Sequence, residues 1–432
     1  MTADFTIVRR LRLTYLALSL VVLVGVIAMI AIGGRHDPAG PAHALYGTWR
    51  FHPGDDPSWA DPEADDSSWE RFVLNSTPDK RDTDVGLPGL LDGWSARGFS
   101  DLQGYGWYRL RVQPRWTGDL VLLGPTMVDD SYQIFWNGKL VGGVGTFGRN
   151  PRVSGARPVL VRLPRPTGDG STVLAIRTFM QPGLGRDHQS GGLRSAPILA
   201  VAAFGEQLHQ AQWRRTIAGY IVEVGLALMM LLLAALALFL RPRARAFSNW
   251  LAVALAATAL LRLGNAVSAW TDLLDLMPHV WLNAILLSPL AMLAWIAAWN
   301  NWTEGPGQQP VYAAAIAAWA SRVAGTVTHS DGLSTAGRLV SLALFAVVAL
   351  RIARRGDHRT LALSTMLAIG IGLFINEITK LGVPDIWFPF NIGVTLTQYA
   401  YALALPLICL AITAGAAEKL ASPARPQGSN VS

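Results

Sequence analysis

The sequence predicts a membrane protein in two parts: an all-β extracytoplasmic domain of the jelly-roll kind, then an α-helical seven-transmembrane bundle, with one more transmembrane helix at the N terminus. Three observations predict it. Seven apolar segments follow one another between Ile217 and Ala416. The region before them alternates short β-rich runs with Gly, Pro and Asp. Basic residues collect in alternate loops between the apolar segments. The chain therefore divides into a cytoplasmic N terminus with its anchor helix (1–34), a β domain (35–212), the bundle (213–416) and a short cytoplasmic tail (417–432).

The N-terminal element comes first. Arg9, Arg10 and Arg12 precede an apolar run from Leu13 to Ile32. That pattern fits a signal anchor or a signal peptide, and Ala42-His43-Ala44 supplies an A-x-A signature for cleavage. The run is long for the apolar part of a signal peptide, and the A-x-A lies well beyond its end, so a retained anchor is the expectation.

In the β region, strands are expected near 46–52, 69–74, 105–113, 118–123, 131–136, 139–142, 157–163, 171–180 and 196–203. The strongest local signal is Trp136-Asn137-Gly138-Lys139, because Asn-Gly suits the two positive-φ positions of a type I′ hairpin. Many short strands with frequent turns suggest a β-sandwich. The only cysteine, Cys409, falls in the last apolar segment, so a disulfide cannot hold this domain together.

The bundle segments are 217–240, 247–268, 280–298, 310–328, 337–353, 360–381 and 391–415. A bilayer core about 30 Å thick needs roughly 20 apolar helical residues, and the third and fifth segments are short by that measure. Helices are expected because backbone polar groups in lipid must be satisfied within their own segment. A chain that is 51% hydrophobic and 15% charged is also unlike an ordinary soluble enzyme. The formal charge of +7 does not form one stripe, which argues against nucleic acid as a partner. Arg241, Arg243 and Arg245, then Arg351, Arg354, Arg355 and Arg359, then Lys419 and Arg425 mark one side. The loops near 269–279, 329–336 and 382–390 lack Lys and Arg. This positive-inside pattern predicts eight crossings of a bacterial inner membrane, both termini cytoplasmic and the β domain facing the periplasm or exterior.

Four stretches of the β region carry a resemblance: Gly47 to Phe51, Asp65 to Trp69, Gly104 to Arg109, and Val128 to Gly142. Together and in order they resemble the N-terminal sugar-binding, galactose-binding-like jelly roll of family 2 glycoside hydrolases. With seven helices behind it, the chain resembles the bacterial seven-transmembrane receptors with diverse intracellular signalling modules. The resemblance implies a non-enzymatic, ligand-reading role. Two departures stand out. The hydrolase barrel with its catalytic carboxylates is replaced by apolar segments, and about 17 residues follow the last one, from Ala416 to Ser432, so no output domain is expected there.

The resemblance places Asp129 among sugar-contacting positions, since a carboxylate can accept two hydroxyls; alternatively, Asp129 and Asp130 simply satisfy turn amides at a strand start. Trp94, Arg97 and Asp101 in one Gly-rich loop, and Arg186, Asp187 and His188 in another, supply the aromatic face and polar groups of a sugar pocket. Loops also carry such residues merely by being polar. Gly143, Gly145 and Gly148 fit G-x-G-x-x-G but follow a hairpin and precede no helix, so they are no nucleotide fingerprint. No metal, cofactor or soluble-enzyme motif is visible.

Inside the apolar segments, Glu223, Arg262, Asn265, Asn283, Arg322, Asn376, Glu377 and Lys380 fall in or near the outer half. Intramembrane polar groups are costly and face the bundle interior. Glu223 and Arg262 are matched in depth on consecutive helices, and Glu377 and Lys380 share a face. A polar cluster beneath the β domain follows, either a structural clamp or a route from ligand to helices. Glu206 to Arg215 extends the first bundle helix outward as a stiff polar connection. The leading expectation is a receptor-like protein that binds carbohydrate or an envelope ligand and acts on a separate cytoplasmic signalling protein. The alternative is a transporter or envelope-assembly component whose jelly roll docks another protein. A weaker third is an outer-face enzyme with Glu223 or Glu377 as acid.

Overall fold

The computed structural model describes residues 2–33, 39–75, 90–116, 118–154, 157–164, 172–182, 191–241, 245–271, 273–303, 307–355, 358–379, 381, 386–387 and 394–421. Of the residues singled out above, Arg186, Asp187, His188, Arg243, Lys380 and Arg425 lie outside the described residues.

The β region contains β1 (Ala42–Ala44), β2 (Gly47–Pro53), β3 (Glu70–Leu74), β4 (Gly104–Val112), β5 (Leu120–Leu123), β6 (Val128–Asp129), β7 (Ser131–Trp136), β8 (Lys139–Val144), β9 (Leu160–Arg162), β10 (Thr172–Met180), β11 (Gly192–Leu193) and β12 (Ile198–Val201). Six strands form one sheet in the order β3-β2-β4-β10-β7-β8, and four form another in the order β1-β12-β5-β9. Every pairing is antiparallel. The long strands β4 and β10 pair over their whole length and form the middle of the larger sheet. Alternation then sends Tyr108 and Val112 of β4 into the sandwich, against Phe51, Phe72, Ile134, Leu122 and Leu199. Asn137 and Gly138 join β7 to β8 with φ of 47° and 77°, the backbone that the Asn-Gly pair predicts.

The opposite face of β4 is also buried. Trp107 and Arg109 are covered by the loop around residues 54–66. Arg109 donates to the carbonyls of Trp59, Asp61, Pro62 and Ala64, and its Nε meets Asp66 Oδ2 at 3.0 Å. One buried guanidinium thus satisfies the carbonyls of a loop that forms no sheet ladder.

The helices are α1 (Thr2–Gly33), α2 (Ala202–Leu240), α3 (Arg245–Trp270), α4 (Leu276–Asn300), α5 (Gln308–Val327), α6 (Asp331–Arg355), α7 (Arg359–Leu373), α8 (Ile375–Thr379) and α9 (Leu396–Ala421). Among the described residues five are long and apolar enough to cross a membrane: α2, α3, α4, α6 and α9. The sequence expectation was eight, seven in the bundle and one at the N terminus, and α1 is not among the five. The helix α5 is not among the five, and α7 ends after 15 residues, where Phe374 leaves helical geometry and α8 begins. A wide π turn at Asn283–Leu287 precedes Pro289 in α4, which relieves the backbone that proline cannot bond. The expected seventh segment began at 391; the helix begins at Leu396, after a small pairing of β13 (Ile386–Trp387) with β14 (Val394–Thr395). Helix α1 lies along α2 and α9, with Tyr15 buried and its hydroxyl donating to Met229 O at 3.3 Å.

The β domain and the bundle share α2. Strand β12 passes into this 39-residue helix with no intervening residue. Its first turns pack Leu208 and Phe204 on Val121, Leu123 and Ala200 of the four-stranded sheet. Glu206 meets Arg162 of β9 at 3.0 Å. At Gly205 a side chain would collide with Val121, so glycine permits this close approach. We call the bundle end facing the β domain the near end and the opposite one the far end.

Candidate functional site

Two groups of polar residues stand out, one at the edge of the sandwich and one within the near half of the bundle. At the sandwich edge, β6 pairs with β11 and brings Asp129 beside Gly192. Asp129 Oδ2 accepts from the Gly191 amide at 2.7 Å and from Arg194 Nη1 at 2.9 Å. Arg194 Nε donates to Leu91 O at 2.8 Å, tying a third segment to this point. The Asp129 side chain is 31% exposed, so it reaches solvent while holding that junction. Asp130 Oδ2 accepts from the Gln181 amide at 2.8 Å. Burial pushes its carboxyl up to about 7, the Asp129 charge adding to the rise and the Gln181 bond opposing it.

Of the loop residues read from the sequence, Trp94, Arg97 and Asp101 are described, and their side chains do not bond to Asp129. Trp94 is fully buried, its backbone amide bonded to Gly191 O at 3.0 Å and its indole to Leu102 O at 3.2 Å. It packs against Gly191 and Gly192, where any side chain would strike its ring, and it is therefore core rather than a sugar-stacking face. Arg97 lies over the Phe72 ring at 4.3 Å and donates to Asp92 O and Val73 O. Burial lowers its guanidinium pKa. Asp101 is exposed. Sequence reasoning passed over Arg194, whose guanidinium is the partner that fixes Asp129. An arginine two residues after Gly-Gly in a strand-like run was the available signal.

The bundle group is larger. Glu223 of α2 accepts from Arg262 of α3 at 2.7 Å and from Gln398 of α9 at 2.7 Å, both at Oε1. The Arg262 guanidinium lies 5.2 Å from the centre of the Tyr401 ring, also on α9. Three helices therefore meet at one carboxylate, and Glu223 Oε2 is buried without a hydrogen bond. One turn along α3, Asn265 Oδ1 lies 2.9 Å from His279 Nε2 and 3.2 Å from Asn283 Nδ2, both on α4. Gly264 makes room for the His279 ring. Farther round, Arg322 of α5 donates to Ser288 of α4 at 2.9 Å, and its Nη1 is buried without a partner. Arg338 of α6 meets Glu377 of α8 at 2.8 Å. With its amide oriented to satisfy both ends, Asn376 accepts from Arg338 at 2.9 and 3.0 Å.

The sequence singled out Glu223, Arg262, Asn265, Asn283, Arg322, Asn376 and Glu377, and all seven lie in this belt. It missed Gln398, Tyr401, His279 and Arg338. Arg338 sits at the near start of a segment read as apolar, and it lies beside Glu377. Both carboxylates of the belt are held by guanidinium groups. That arrangement joins helices. Among the described residues no group of three or more His, Cys, Asp or Glu side chains is placed to hold a metal ion.

No protein-family model matches the chain, and no curated protein sequence does. Solved structures similar to its N-terminal part include Bacteroides uniformis β-glucuronidase, at 22% identity and a TM-score of 0.28, covering 37% of this chain and 17% of that one. A glycosyl hydrolase family 2 member from Bacteroides cellulosilyticus DSM 14838 is similar at 17% identity and a TM-score of 0.27, covering 37% and 20%. The β-glucuronidase of an uncultured Clostridium sp. is similar at 16% identity and a TM-score of 0.26, covering 38% and 31%. The chain thus spans less than a third of the length of these structures.

Proposed function

We propose that this chain is a receptor-like integral membrane protein. Its β domain binds a carbohydrate or another envelope ligand outside the cytoplasmic membrane, and the bundle passes the bound state to a cytoplasmic partner. The observation that carries the reading is the continuity of α2. One helix is packed onto the four-stranded sheet at Leu208, met by Arg162 at Glu206, and joined through Glu223 to α3 and α9. From Glu206 to Glu223 the helix rises about 25 Å. A helix of that length transmits tilt or rotation where a flexible tether would absorb it. Ligand binding shifts the bundle only through different affinity for two of its states. Three polar groups in the bundle each hold a buried unpaired atom, at Glu223, Asn283 and Arg322, and these are where such states would differ.

In this reading α2, α3, α4, α6 and α9 cross the bilayer, α1, α5 and α7 complete the set of eight, and the near end faces outward. The partly exposed Asp129, fixed by Arg194 and adjoining Asp130, is the candidate contact for ligand hydroxyls. The test is thermal melting of the full chain against a panel of mono- and oligosaccharides, with Asp129→Ala in parallel. A ligand present at 100 times its Kd and binding only the folded state adds about 2.7 kcal/mol. We expect one saccharide to raise the melting temperature of the wild type and to lose that effect in Asp129→Ala. If no saccharide raises it, the carbohydrate reading is withdrawn and the β domain becomes a docking module for another protein.

A further inference from the structure

We propose that the far end of the bundle carries a binding groove for one anionic phospholipid, between α5 and α6. The groove has a volume of about 440 Å³. Pro310 and Val311 of α5 and Leu344 and Val347 of α6 form its apolar walls, and Arg351 and Arg354 line it toward the far end. Among the described residues that line it, none is acidic.

The two arginines differ in what they already do. Arg351 Nη1 donates to Asn300 Oδ1 at 2.7 Å and to Gly307 O at 3.2 Å, so it ties α6 to the end of α4 and the start of α5. Arg354, one turn on, is exposed and makes no hydrogen bond or ion pair among the described residues. A guanidinium with its donors free matches a phosphodiester in a planar, two-point fashion. The neighbouring surface decides the kind of anion. Val347 in the groove wall is 44% exposed, and Leu350 on the same helix is 57% exposed. The groove therefore opens onto an apolar surface that a bilayer would cover. An acyl chain reaches it from that side while its headgroup stays level with Arg354. A soluble anion would use the arginine and leave the apolar walls uncovered. In the orientation proposed above the far end lies in the cytoplasmic leaflet, where anionic lipids attract basic residues.

The inference rests on the membrane reading but not on ligand binding by the β domain. Its test uses the full chain purified in a neutral detergent, with melting followed as phosphatidylglycerol, phosphatidylcholine or inorganic phosphate is added. We expect phosphatidylglycerol to raise the melting temperature in a saturable way, and neither of the others to match it. Arg354→Gln should lose most of that rise while melting as the wild type does without lipid. Val347→Trp, which fills the groove and leaves both arginines, should lose it as well. Equal rises with phosphatidylglycerol and phosphatidylcholine would overturn the proposal. So would a rise with inorganic phosphate that Arg354→Gln abolishes, or a full phosphatidylglycerol response in both variants. Recovery of the chain in the soluble fraction after expression would instead overturn the membrane reading itself, so the two failures are distinguishable.

Discussion

At the scale of single residues, the buried arginines carry most of what is testable. Arg262 compensates Glu223 in apolar surroundings, and removing one member of such a pair strands the other's charge. We expect Arg262→Leu to reduce the yield of folded protein in the membrane, with a stability loss of about 3–5 kcal/mol for a broken buried pair. Adding Glu223→Gln to Arg262→Leu should restore part of it, because the stranded charge is then gone. Equal yields of wild type and Arg262→Leu would show that the pair contributes little. Arg109 belongs to the same class in the β domain. Arg109→Met orphans the carbonyls of Trp59, Asp61, Pro62 and Ala64 and frees the loop over Trp107. A lowered melting temperature with new tryptophan exposure is the expected result, read by fluorescence on heating.

Asp130 gives a pH dependence whose sign can be worked out. Its folded pKa, about 7, lies above the ordinary carboxylate value, so the folded state binds the proton more tightly than the unfolded state does. The cost of ionising it is absent in acid and grows as pH rises toward about 7. Asp130→Asn cannot ionise, so its melting temperature should gain on the wild type between about pH 4 and about pH 8. A constant difference across that range would remove the effect. These residues also show what the sequence could express. Glu223 and Arg262 were legible because charges inside apolar segments are conspicuous. Gln398 and Tyr401 were not, because an uncharged amide and a phenol near a helix start look like interfacial residues. Trp94 was misread because a tryptophan between glycines resembles an exposed loop residue. Its burial depends on Gly191, about a hundred positions later.

At the scale of elements, the strand pattern was readable where hairpins are local. The stretch 131–136 was placed with its bounds, and the Asn-Gly turn with its conformation. The short pair β6 and β11 escaped because each has two residues and the pairing joins distant parts of the chain. Helix ends were displaced where the backbone departs from α geometry, at the π turn of α4 and at Phe374. The connection between the two parts was expected from Glu206 onward, and the helix begins at Ala202, directly after β12. This element makes its own prediction. Inserting Gly-Gly-Ser-Gly after Gln212 should leave saccharide-dependent melting of the β domain intact. It should also separate that domain from the helices, so that the two parts melt independently in calorimetry. A single shared transition after insertion would mean that contacts other than α2 join them.

At the scale of the whole molecule, the polar belt and the α2 connection lie on the side of the bundle nearest the sandwich, and the groove lined by Arg351 and Arg354 lies at the other end. In the proposed reading, a ligand at the sandwich edge and a partner at the far end are linked through α2, α3 and α9, which meet at Glu223, Arg262 and Gln398. The measurement that tests this most directly is hydrogen exchange on the full chain, with and without saccharide, in the wild type and in the Gln212 insertion variant. The account predicts that a bound saccharide slows exchange around Asp129 in both proteins, and changes exchange near Glu223, Arg262 and Gln398 in the wild type alone. Protection confined to the β domain in the wild type, or no response to any saccharide, would contradict it.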